Sequence, residues 1–185
     1  GIIETEITNL KYDESHNWVN YVKGVIWAFE EKGYKIKSGF DFVCFGTIPN
    51  GSGLSSSASL EILVSKILID LNNININMIE VSLISQFSEN KFIGVNCGIM
   101  DQFAIAMGKR DNAIFLNTNT LDYKYAPLNL KGMKIVISNT NKKRELADSK
   151  YNERRSECEN SLEEIKKVKN INTLADLTPK EFEEI

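Results

Sequence analysis

The chain has 185 residues, 42% of them hydrophobic and 25% charged, a globular profile with room for one large domain or one domain and part of another. A formal net charge of −3 argues against a surface built to wrap nucleic acid, and no apolar run reaches the roughly 18–20 residues of a membrane-crossing helix. Nucleic acid and membrane are therefore not expected as partners, and nothing at the N-terminus has the basic-then-apolar order of a secretory signal.

Residues 1–10 alternate loosely and predict a strand. From Trp18 to Glu31 apolar residues fall at 18, 19, 22, 25, 26 and 29, a helical period, and Gly33 is placed to cap that helix. Residues 40–48 (FDFVCFGTI) alternate and are rich in aromatics, which predicts a strand stopped by Pro49. A helix is expected from about Leu54 to Asn72. Its polar positions, Glu61, Ser65, Lys66 and Asp70, form a narrow strip, so the rest of that helix is expected to be buried. Met78–Phe92 predicts another amphipathic helix, and Ile99–Met107 a short one after the loop GVNCG. Strand-like runs follow near 112–117, 122–127 and 133–138. Arg144 to about Lys169 predicts a charged helix whose Arg154 and Arg155, like Lys142, Lys143 and Arg144, belong to a solvated, ion-paired face. Thr178-Pro179 with Glu181 marks one more helix start. Strands and helices without strict alternation indicate an α+β fold.

The cysteines, Cys44, Cys97 and Cys158, are too far apart for a CxxC pair, and one histidine, His16, leaves little for a zinc site. Free thiols, buried or half-buried, in a reducing cytoplasm are expected.

Two stretches carry chemistry. The first is PNGSGLSSSASLE, from Pro49 to Glu61, where a strand-like run meets glycines, serines and a helix. A helix start has unpaired N–H groups and the positive end of its dipole, and glycine lets a phosphate approach the backbone. Serine oxygens suit a hard ion such as Mg²⁺. The same residues would also serve an ordinary serine-capped helix start. No Gly-Lys-Ser/Thr follows, so this is not a Walker A loop. The second stretch runs from Ser88 to Phe103 and holds Glu89 and, twelve positions later, Asp101. Phosphoryl transfer uses a metal and a carboxylate at the acceptor hydroxyl. An Asp among Ile99, Met100, Phe103 and Ile105 is costly without a partner or a task. A satisfied cap for Asp101 and a solvent-facing Glu89 remain alternatives on chemistry alone.

The string P-x-G-x-G-L-S-S-S-A resembles the glycine-serine signature of the GHMP kinases, and C-G-I-M-D-Q-F resembles the active-site segment of their galactokinase branch. The resemblance implies that Gly51, Gly53, Leu54, Ser55, Ser56, Ser57 and Ala58 bind the ATP phosphates. It implies Asp101 as the base toward the anomeric hydroxyl of galactose, and Glu89 as a Mg²⁺ ligand together with Ser57 or, as second choice, Ser56. Trp18-Val-Asn-Tyr-Val-Lys-Gly24 is similar to a family run whose Trp lies near adenine; a Trp that staples the helix start to the core is the alternative. Asp148-Ser-Lys-Tyr-Asn-Glu-Arg-Arg155 is similar to the segment whose Tyr contacts the sugar, here Tyr151. Gly98 and Cys97 fall where that sugar pocket is lined.

By this resemblance the substrates are ATP and galactose, the cofactor is Mg²⁺, and the product is galactose 1-phosphate, formed by in-line transfer in a protein expected to be monomeric. A related kinase for N-acetylgalactosamine or another sugar, or a non-catalytic galactose and ATP sensor, are the rival readings. The implied fold is a ribosomal protein S5 domain 2-like N-terminal domain over 1–130, without its first strands, then the start of a ferredoxin-like domain over 131–185. The family's R-x-N-x-x-G-E-H-x-D-Y and G-A-G-x-G-G-like motifs do not occur here, the first residue is Gly1, and the last residues (PKEFEEI) stand inside a helical pattern. The chain is therefore expected to be a central galactokinase segment, poorly active alone because the arginine beside the catalytic Asp is missing.

Overall fold

In the computed structural model, residues 2–49, 52–139 and 150–185 are described, without the side chains of Lys150 and Tyr151. Four helices come first: α1 (Val19–Glu31), α2 (Ser56–Asn72), α3 (Met78–Ser88) and α4 (Met100–Met107). An antiparallel hairpin follows, β1 (Asn112–Leu116) and β2 (Tyr123–Pro127), with Ile114 opposite Tyr125. The charged helix α5 (Lys150–Lys166) and the short α6 (Pro179–Glu183) complete the order.

The apolar period of α1 buries Val22, Val25, Ile26, Ala28 and Phe29 against Val64 and Leu68 of α2 and Ile84 of α3. Burial of that apolar surface is the main force holding the three helices together. Gly33, at φ +87°, ends α1 as expected: its N–H reaches Glu30 O, and Tyr34 N–H reaches back to Phe29 O at 2.9 Å. This is the paired C-terminal closure that a left-handed glycine allows. Helix α4 packs on α2 and α3. The hairpin attaches to its end, where the Tyr125 hydroxyl donates to Met107 O and Phe103 meets Tyr123 edge-on. At α6 the expected start is present, a reciprocal pair of bonds between Thr178 and Glu181 with Pro179 in the first turn.

The α+β class stands, but three predicted strands do not form. Residues 2–10, 40–48 and 133–138 enter no ladder; the two-stranded hairpin is the sheet of the described residues. Alternation prepares a segment for pairing, yet a ladder exists only where a second strand supplies hydrogen-bond partners. Val43 and Phe45 are accordingly almost fully exposed. Helix α2 also departs from expectation. Glu61 and Ser65, assigned to its polar strip, are completely buried, while Leu63 and Leu71 are exposed. The strip divides: Lys66 and Asp70 pair at the surface, and the other two face hydroxyl and amide groups on neighbouring helices. Of the thiols, all three free, only Cys97 is half-buried; Cys44 and Cys158 are exposed.

Candidate functional site: a serine-carboxylate cluster at the start of α2

The chain enters α2 through Gly53 at φ +75° and Ser55 at φ +58°. A non-glycine residue in the left-handed region is uncommon and marks a conformation imposed by its surroundings. Ser55 stands at the cap position without a side-chain cap bond, so its hydroxyl leaves the first-turn N–H groups of α2 uncapped. The ordinary serine-cap alternative therefore loses its defining bond. Ser56 and Ser57 open the helix half-buried, Leu54 is half-buried before them, and Ala58 is fully buried beneath. Gly51 lies outside the described residues.

The Ser57 hydroxyl lies near enough to the Glu89 carboxylate to lower its proton affinity, although the two residues are 32 positions apart in sequence. Glu89 does not sit in regular α-helix. It opens a π-turn, Glu89–Ile93, in which Gly94 N–H reaches Glu89 O at 3.0 Å and Gly94 takes φ +89°. The extra residue in such a turn re-aims the side chain that begins it, and single π-turns of this kind recur at functional sites. Burial pushes the Glu89 carboxyl up from its ordinary value, the Asp101 charge adds to this, and bonds from Cys97, Ser57 and Gln102 oppose it. The solvent-facing alternative for Glu89 is excluded by its burial.

Asp101 is half-buried in the first turn of α4, close enough for its charge to raise both Glu89 and Glu61. It stands one residue before Gln102, whose fully buried carboxamide donates to Glu89 Oε2 at 2.6 Å and to Glu61 Oε2 at 3.2 Å. Glu61 is held well above the ordinary carboxylate range, first by burial and then by Glu89. Cys97 donates to Asn90 Oδ1 at 3.2 Å, and burial together with Glu89 drives its thiol up, so it is an inert wall and no thiolate. Gly98 is exposed beside it.

The Trp18–Gly24 run explains itself residue by residue. The Asn20 carboxamide clamps the Asp13 turn, its oxygen accepting from Asp13 N–H and its nitrogen donating to Asp13 O, and buried Lys23 Nζ donates to Lys11 O at 2.8 Å and to His16 Nδ1 at 2.9 Å. Together they seat the segment that delivers Trp18, which is half-exposed and meets Phe42 edge-on at 6.5 Å. Trp18 thus makes an aromatic contact while leaving surface free. Tyr21 is half-buried, and burial with the nearby Glu89 and Glu61 raises its phenol. Gly24 permits the approach of α3: a Cβ there would lie 2.5 Å from Ser88 Oγ.

Tyr151 carries no described side chain, and Lys142, Lys143 and Arg144 lie outside the described residues. Its neighbour Asn152 does bind the loop before Asp101, accepting from Asn96 N–H at 3.0 Å. Arg154 and Arg155 pair with Glu157 and Glu159 on the exposed face of α5, as expected. Sequence reasoning missed Tyr21, Glu61, Gln102 and Asn152. Gln102 lay inside a quoted motif, so its position was the available signal. A groove lined by Met78, Ile79, Met107, Tyr123 and Tyr125 contains none of the site residues.

An uncapped helix start, a serine beside a buried carboxylate, and a second carboxylate nearby are groups able to receive a phosphate and a hard cation together. Residues 20–109 match the family model described as the GHMP kinases N terminal domain. That stretch therefore carries the family's N-terminal domain. The chain is similar to the galactokinase of Clostridium beijerinckii, 62% identical over all 185 residues, and to that of Clostridium acetobutylicum at 60%. The crystal structure of Lactococcus lactis galactokinase complexed with galactose superposes with a TM-score of 0.88 at 41% identity, covering 98% of this chain and 47% of that one. The chain spans about half the length, 48%, of the curated relatives it matches.

Proposed function

We propose that this chain is the nucleotide-binding portion of a galactokinase, which transfers the γ-phosphoryl group of ATP to the anomeric hydroxyl of galactose. The buried Glu89 carboxylate, with the Ser57 hydroxyl beside it at an uncapped helix start, carries this reading. The galactokinase relatives, and the Lactococcus lactis structure complexed with galactose, support the choice of sugar.

In this reading the loop from Gly51 to Ala58 cradles the ATP phosphates, with the first-turn N–H groups of α2 aimed at them and the helix dipole adding to the attraction. Trp18 offers its free surface to the adenine. The donor set fits Mg²⁺, since Ser57 and Glu89 are oxygen ligands already within bonding reach of each other. Among the described residues no group of three acidic, His or Cys side chains could cage a metal, so phosphate and water must complete the sphere. Bound there, Mg²⁺ would screen the charge that builds on the transferring group. The choice falls on Ser57 over Ser56 because Ser57 makes the Glu89 contact.

Asp101 accepts the proton of the sugar hydroxyl as that oxygen attacks the γ-phosphorus in line; the bond to the β,γ-bridging oxygen breaks, ADP leaves, and no phosphoenzyme forms. Gly98 and Tyr151 line the sugar. Residues 1–130 are assigned to the N-terminal kinase domain and 131–185 to the start of the second, in a cytoplasmic, monomeric whole.

The test is a sugar panel on the full-length protein that carries this chain, with the product followed by phosphorus NMR. Galactose 1-phosphate as the dominant product is expected. Preference for N-acetylgalactosamine would move the reading to the related kinase. Thermal shifts with galactose and ATP but no product would favour a sensor, against the intact Ser57-Ala58 pair and Asp101.

A further inference from the structure

A buried chain of polar groups stands behind the carboxylate assigned to the metal. The Gln102 amide nitrogen donates to Glu89 Oε2 and to Glu61 Oε2, with Cys97 Sγ a longer third partner at 3.7 Å. Glu61 lies one helical turn beyond Ser57 on α2. The Gln102 bonds tie Glu89 to Glu61, and Ser57, one turn from Glu61 along α2, lies beside Glu89, so the four residues form one closed cluster. The cluster links the phosphate loop, the π-turn and the helix that carries Asp101.

Glu61 and Gln102 have no exposed surface, and Glu89 almost none. Among the described residues no cation pairs with either carboxylate. A buried acid without a cation is costly, and an apolar residue of similar volume would fill the space at less cost. The carboxamide has one useful orientation here. Reversed, it would aim its oxygen at two carboxylates, and in the observed orientation that oxygen, like Glu61 Oε1, has no partner.

We propose that Glu61 and Gln102 are positioning residues for phosphoryl transfer: Glu61 fixes the Gln102 carboxamide, which holds the Glu89 carboxylate against Ser57 so that both can offer oxygen to a divalent cation. The inference rests on the reading of Glu89 as a metal ligand. Gln102 suits the task because a neutral amide donates to two carboxylates at once, whereas Met donates to neither.

The experiment compares the full-length protein with its Gln102→Met, Glu61→Ala, Glu61→Gln and Glu89→Gln variants. Mn²⁺ binding in the presence of ADP is read by electron paramagnetic resonance, and galactose affinity by calorimetry. Gln102→Met and Glu61→Ala are expected to weaken Mn²⁺ binding by about 10- to 100-fold, as when a partner behind a metal ligand is removed, with galactose affinity changed less than about twofold. Glu61→Gln, whose amide oxygen still accepts from Gln102, is expected to restore Mn²⁺ binding. Lower thermal stability with unchanged Mn²⁺ binding would overturn the proposal and leave a packing role. If Glu89→Gln loses Mn²⁺ while Gln102→Met keeps it, the positioning role alone falls. Normal Mn²⁺ binding in Glu89→Gln would remove the metal reading and the proposal with it. Should Gln102→Met fail to fold, Gln102→Asn, one methylene shorter, serves the same comparison.

Discussion

Glutamate does two different jobs in this chain, and the contrast between α5 and the cluster around α2 separates them. On α5 and just beyond it, Glu157, Glu159, Glu163 and Glu164 each have an Arg or Lys three or four residues away, and every pair is exposed. Such pairs contribute little individually because water already solvates both partners. Glu61 and Glu89 have no local cation, are buried, and depend on neutral donors brought from other helices. A local partner marks a solvated surface. A distant, neutral partner marks a place where the fold tolerates cost for the sake of a site.

The contrast can be broken most severely at Asp101. Asp101→Ala in the full-length protein is expected to lower kcat by about 10²–10⁴-fold, the range for loss of a positioned base, while ATP affinity is largely kept. Steady-state kinetics with ATP-binding calorimetry checks both halves, and near-normal turnover would remove the base assignment. Gly24→Ala tests whether the cluster depends on the close approach of α1 and α3. The Cβ would collide with Ser88 Oγ, so destabilisation of about 1–3 kcal/mol is expected in denaturant unfolding.

The buried carboxyls should also leave a pH signature. The Glu61 carboxyl is raised well above 4.5 in the folded protein. Above that pH the unfolded chain holds fewer protons at this residue than the folded one, so its contribution to stability falls as pH rises toward the folded value. Glu61→Gln is expected to flatten that decline on the side above the ordinary carboxylate range, and an unchanged slope would place Glu61 in water. At the other end of the scale, Arg155→Ala removes an exposed pair with Glu159 and should change stability by no more than about 0.5 kcal/mol. A larger loss there would erase the distinction between the two regions.

Much of the site was readable because its residues stand in local strings. The glycine-serine loop, Glu89 and Asp101 each announce a position along the chain, and the capped start of α6 follows from Thr178 and Glu181 alone. The π-turn was not readable, since one extra residue in a turn leaves the apolar period almost unchanged; Gly94 was its one trace. Glu61 was misplaced for a related reason. Its neighbours in sequence, Lys66 and Asp70, are truly solvated, and the amide that buries it comes from Gln102, 41 residues away. The unformed strands at 40–48 and 133–138 show the same limit, because alternation is local and pairing is not.

The central claim is that Ser57 and Glu89 together hold a metal beside the ATP phosphates. It is tested most directly by calorimetric titration of ATP into the full-length protein and its Ser57→Ala variant, each with and without Mg²⁺. The wild type should bind ATP more tightly with Mg²⁺, and Ser57→Ala should lose that gain while binding metal-free ATP nearly as before. An equal gain from Mg²⁺ in both proteins would contradict the account.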